Sequence, residues 1–132
     1  MLGPTRDHRI YAPVMKDSLI AGISGAADFE VTADMSPPHL APRIVLSTPS
    51  MIQLMEQTSL QAMTEHLDGD ETTVGTHVCV SHVAAAGGGD TVTIRFELAE
   101  VVKRRLKFNV SAHLGDTVLS EGTHERAVIK TS

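Results

Sequence analysis

Between residues 49 and 67 the apolar side chains recur at intervals of three and four, and the polar ones close into a narrow strip. At roughly 100° per residue, PSMIQLMEQTSLQAMTEHL gathers Gln53, Gln57, Gln61 and Thr64 on one side. Met51, Ile52, Leu54, Met55, Leu60, Ala62, Met63 and Leu67 cover a broad arc on the other. The spacing predicts one long helix. Thr48-Pro49 offers a hydroxyl for its N-cap and a proline for its first turn, and Gly69 offers a C-terminal cap.

Further along, the period drops to two. Residues 91–102 alternate Val92, Ile94, Phe96 and Leu98 with Thr93, Arg95 and Glu97, and residues 105–113 repeat the pattern with Leu106, Phe108, Val110 and Ala112. Residues 72–86 predict a strand carrying Val74, Val78, Val80 and His82 on one face. Residues 117–131 predict a last strand, bulged near Gly122 where the alternation changes phase. A weaker strand is expected over residues 28–34. Pro37, Pro38 and Pro42 then exclude regular helix or central strand up to the helix. Short polar links at 86–90, 103–104 and 114–117 predict antiparallel hairpins.

A helix apolar over most of its circumference has to be enclosed. The economical solution is α+β: a hotdog fold, with an antiparallel five-stranded curved sheet wrapped around one long central helix. Residues 1–14 hold two prolines and no periodicity, and read as a loose N-terminal extension to a single domain over residues 15–132.

Composition narrows the function classes. With 132 residues, 42% of them hydrophobic, the chain can build one real core. A net charge of -5 argues against a nucleic-acid partner. Cys79 stands alone, so no internal disulfide points to an oxidising compartment. No apolar run approaches the roughly 20 residues of a membrane helix. The apolar stretch at 19–27 is short and broken by Gly22 and Gly25, a poor signal peptide. A cytoplasmic location without a membrane partner is expected.

Candidate chemistry begins with Glu56, which falls between Met63 and Leu67 on the helical wheel, inside the apolar arc. A carboxylate there is costly unless paired or protonated. His82, on the valine face of its strand, is expected to point at the helix and could hydrogen-bond Glu56. Thr48 stands at the helix start. The plainer alternatives are an N-cap for Thr48, a solvent-directed Glu56 and a core histidine for His82. No HxxxH or CxxC spacing supports a metal site. Gly87-Gly88-Gly89 lacks the lysine and helix of a phosphate loop. Lys103, Arg104, Arg105 and Lys107 form a basic turn that could attract a polyanion.

From Met15 onward the chain resembles the fluoroacetyl-CoA thioesterase branch of the hotdog thioesterases. The resemblance rests on MKDSLIAG at 15–22, TPSMIQLME at 48–56, VGTHVCVSHVAA at 74–85 and SAHLGDTVLSEGTHERAVI at 111–129. It implies a catalytic set of Thr48, Glu56 and His82, with the backbone of Gly75 holding the thioester carbonyl. It implies acyl-CoA hydrolysis by a homodimer, with coenzyme A part of the substrate and no separate cofactor. The pattern departs in one place. The family's fluoroacetyl-specific enzyme has phenylalanines in the segment before its threonine, whereas MSPPHLAPRIVLST has no aromatic residue. A general or different acyl-CoA is therefore expected. An enoyl- or hydroxyacyl-CoA hydratase or dehydratase, and a non-catalytic acyl-CoA-binding module, are the alternative functions.

Overall fold

The computed structural model describes residues 15–131; the expected N-terminal extension lies outside them. Helix α1 (Thr48–Met63) runs into a 3₁₀ turn at Thr64–His66, so the expected helix changes character over its last residues. The backbone N–H of Thr64 reaches back only to the carbonyl of Gln61, which tightens the end. Gly69 is not the cap. It lies in the turn that leads into the next strand.

Strands β1 (Ser24–Glu30), β2 (Glu71–Val80), β3 (Thr91–Val102), β4 (Arg105–Leu114) and β5 (Thr117–Lys130) form one antiparallel sheet in the order β1-β3-β4-β5-β2. Helix α1 packs against β1, β2, β3 and β4, and the sheet curls around it. This is the expected hotdog arrangement. Met51, Met55 and Met63 are fully buried against Val92, Ile94, Leu98 and Phe108 from the sheet. A side chain the size of Phe108 contributes about 1.5–3 kcal/mol by leaving water. The glutamine strip faces outward as expected. Thr58 and Ser59 are buried too, because their hydroxyls donate to the carbonyls of Leu54 (2.8 Å) and Met55 (2.9 Å) one turn back.

Four expectations need correction. The first strand covers 24–30 rather than 28–34, its small residues fitting beneath the Phe96 ring: a Cβ on Gly25 would stand 2.9 Å from that ring. Strands β2 and β3 do not form a hairpin. β2 ends at Val80; Ser81 and Val83 still bond β5, and the chain then crosses towards the far side of the sheet, bridging Val45 at Gly87. The third correction concerns the phase of β2. A bulge at Thr76 shifts its register against β5, so Val74 pairs with Ala127 while Val78 and Val80 pair with His124 and Gly122. Val74 is thereby turned outward, and Thr73 takes the buried position. Finally, the β5 bulge falls at Leu119 rather than Gly122, leaving Leu119 and Ser120 both buried. Gly122 is a glycine for another reason: a Cβ there would run into the carbonyl of Cys79.

Candidate active site

At the helix start the expected roles are redistributed. Ser47, in extended conformation (φ -75°, ψ 156°), is the N-cap, and its Oγ accepts from the backbone N–H of Ser50 at 3.2 Å. Thr48 is released from capping. Its Oγ1 lies 2.7 Å from Nδ1 of His82. His82 stands just past the end of β2, clamped on both sides by β5: Ser81 N–H donates to the carbonyl of Glu121 (3.0 Å) and Val83 N–H to that of Leu119 (2.8 Å). Beside it, Val45, Leu46, Val83, Ala84 and Ala85 line an open groove of about 320 Å³.

Two turns along α1, Glu56 is paired differently from the expectation. Its side chain is 42% exposed, and its Oε2 lies 3.5 Å from Nη1 of Arg126, which is 5% exposed. Among the described residues its ion-pair partner is Arg126, and His82 bonds Thr48 instead. Gly75 lies directly against the same carboxylate: a Cβ on Gly75 would collide with Oε2 of Glu56. Helix α1 thus spreads the set into two groups. Thr48 with His82, and Glu56 with Gly75, stand eight residues apart on the helix, about 12 Å of axial rise.

Sequence reasoning missed Arg126 and its neighbour His124. Arg126 is held on every side: Nε donates to Oγ1 of Thr73 (2.7 Å), Nη2 to the Thr73 carbonyl (3.0 Å) and Nη1 to Nε2 of His124 (3.0 Å). His124 in turn donates from Nδ1 to the carbonyl of His77 at 2.8 Å and stacks on Phe108 with centroids 6.2 Å apart. Burial, reinforced by the Arg126 charge, holds the His124 imidazole below the usual histidine range, and the bond to His77 only partly offsets this. Burial also lowers Arg126, opposed by the Glu56 carboxylate. The signal was present in β5: His124 and Arg126 share the period-two face of Val128, which is fully buried.

The remaining candidates lie elsewhere. His77 faces away and pairs with Glu125 at 3.4 Å, and Cys79 is exposed. In the basic turn, Lys107 reaches Glu100 at 3.9 Å. Among the described residues no three His, Cys, Asp or Glu side chains gather as a metal site, and no helix is long and apolar enough to cross a membrane.

This architecture is shared with known proteins. A family profile described as fluoroacetyl-CoA-specific thioesterase matches residues 28–132. The fluoroacetyl-CoA thioesterase of Streptantibioticus cattleyicolor is 41% identical over 123 residues, covering 87% of this chain and 88% of that protein. A solved structure of a fluoroacetyl-CoA thioesterase superposes with a TM-score of 0.81 at 39% identity, covering 87% of this chain and 91% of that one. A phenylalanine-to-alanine variant of such an enzyme, in complex with fluoroacetate and CoA, superposes at 0.77 with 40% identity, covering 83% and 94%. With its five-stranded sheet, its central helix and this extent of matched sequence, the chain belongs to the fluoroacetyl-CoA-specific thioesterase family.

Proposed function

We propose that this protein hydrolyses an acyl-CoA thioester to free acid and CoA, using Thr48, Glu56 and His82 with the backbone of Gly75. The observation that carries the reading is the 2.7 Å hydrogen bond between Thr48 Oγ1 and His82 Nδ1. A hydroxyl held on an imidazole at this distance is a unit that can pass a proton at a reacting carbonyl. In this scheme Glu56 takes a proton from the attacking water while a C–O bond forms at the thioester carbonyl. The N–H of Gly75 stabilises the oxyanion. Collapse breaks the C–S bond, and the leaving thiolate takes its proton from His82, with Thr48 orienting the ring and the substrate.

A homodimer would reunite the two groups. Among the described residues no strand pairs with the outer edge of β2, and Val74 (41%) and Val78 (36%) beside it are exposed. Two copies pairing antiparallel about a point between Val78 and Cys79 would set Gly75 of one protomer opposite the partner's His82. The 12 Å separation along one helix then becomes proximity between two chains.

The acyl group is proposed to differ from fluoroacetyl. Ala33, Ser36, Pro37, Pro38, Ala41 and Pro42 line a cavity of about 210 Å³ whose lining holds no aromatic side chain. Thiol release from a panel of acyl-CoAs tests the function. T48A, E56A and H82A should each lose about 10²-fold or more in kcat on the best substrate. Wild-type turnover in E56A and H82A would sink the assignment. Loss of an enoyl chromophore without thiol release would replace hydrolysis with hydration.

A further inference from the structure

We propose that His124 is a positioning residue for the reaction: as a neutral imidazole it accepts a hydrogen bond from Arg126 and so holds the guanidinium, and through it Glu56, in the working arrangement. The inference rests on the role of Glu56 proposed above.

The tautomer follows from the contacts. A carbonyl can only accept, so the 2.8 Å contact to the backbone oxygen of His77 places the proton on Nδ1. Nε2 then carries a lone pair, and Nη1 of Arg126 donates to it at 3.0 Å. This matters because the other contact of Nη1, to Glu56, is long at 3.5 Å. Thr73 fixes Nε and Nη2, which sets the position of the guanidinium. His124 fixes the corner that faces Glu56. A stack on the fully buried Phe108 of β4 keeps the ring from turning away.

Protonation breaks the arrangement. An imidazolium has donors on both nitrogens, so Nε2–H would face Nη1–H of a cation. The charged groups acting on His124 are Arg126 on its own strand, Glu56 from α1 and the outward-facing Glu125. From β2 it meets the backbone oxygen of His77, with Val78 opposite in register, and from β4 the Phe108 ring. The two carboxylates favour the proton while Arg126 and burial oppose it, and the opposing pair prevails. The structure therefore assigns His124 an acceptor role that persists at neutral pH and fails in acid.

Two substitutions separate this role from a structural one. In H124Q the longer amide can present its oxygen near the Nε2 position, retaining the acceptor for Arg126 without a titrating group. In H124N the shorter amide can retain the donor to His77 but not the acceptor. Expected for H124N is a kcat lower by about tenfold or more with KM changed less than about threefold, at a thermal midpoint close to that of H124Q. H124Q should recover most of this kcat, and its profile should lack the acid-limb step that wild type owes to His124. An E56Q background should make H124N silent, because the two act through one path. Wild-type kcat and pH profile in H124N, or equal losses in H124N and H124Q at matched stability, would overturn the proposal. An active E56Q would instead overturn the role of Glu56 itself, so the two failures are distinguishable.

Discussion

Thr48 reaches His82 because Ser47, one residue earlier, takes the capping position of α1. Ser47 thus serves the helix end, while the proposed mechanism gives Thr48 to the reaction, and substitution should separate the two. S47A should cost on the order of 1 kcal/mol, lowering the midpoint by a few degrees while kcat is largely kept. T48A should do the reverse. Thermal unfolding and thiol release on the same samples check both, and a T48A enzyme with full activity would remove Thr48 from the reaction.

Gly75 is a glycine because the Glu56 carboxylate occupies the space its side chain would need. The atom in the way is the end of a flexible side chain, so G75A should fold. It should displace Glu56 and lower kcat by about tenfold or more, within the range expected for a mispositioned catalytic base. A G75A enzyme with unchanged kcat would show that the carboxylate does not need its present position.

Arg126 meets Thr73 through two nitrogens and His124 and Glu56 through the third. Lysine keeps the charge but has no fork to serve these directions at once. R126K should lose stability by about 1–3 kcal/mol, from polar groups left unsatisfied, and should lose activity as well. Denaturant unfolding and kcat measure the two effects. Wild-type values for both would mean that the fork geometry is dispensable.

The lowered His124 gives stability a signed pH dependence. Its folded pKa lies below the unfolded value of about 6.5, so between the two the unfolded chain binds more protons. The stability is whole above about 6.5 and is lost progressively as pH falls through the folded pKa. H124Q should flatten this part of the profile relative to wild type. An identical acid slope in both proteins would assign the loss to other groups.

The extent of legibility follows from where periodicity is strong. The helix carries its period over more than ten residues, and β3 and β4 alternate without a break from Val92 to Leu98 and from Leu106 to Ala112, so these elements are legible nearly to the residue. The phase of β2 was not legible, because the Thr76 bulge reverses the alternation in mid-strand and the chain gives no local sign of it. The same slip put Val74 on the wrong face. Polar groups on an apolar face or at the helix start mark Glu56, His82 and Thr48 as candidates in the sequence, and the family resemblance adds Gly75. His124 and Arg126 satisfied the first of these criteria equally well. Their pairing with Glu56 is not legible, because it depends on the phase of β5 beyond the bulge at Leu119.

Strand β5 serves both halves of the candidate site. Near its start, the carbonyls of Leu119 and Glu121 hold the segment that carries His82; a few residues on, His124 and Arg126 meet Glu56. The strand works as a ruler whose graduations are single residues. Deleting one between Leu119 and Arg126 would not merely shorten a loop; it would turn Arg126 to the outside while leaving the His82 anchor in place. The 103–104 turn carries no such constraint, but the spacing along β5 is fixed by two appointments that one strand must keep.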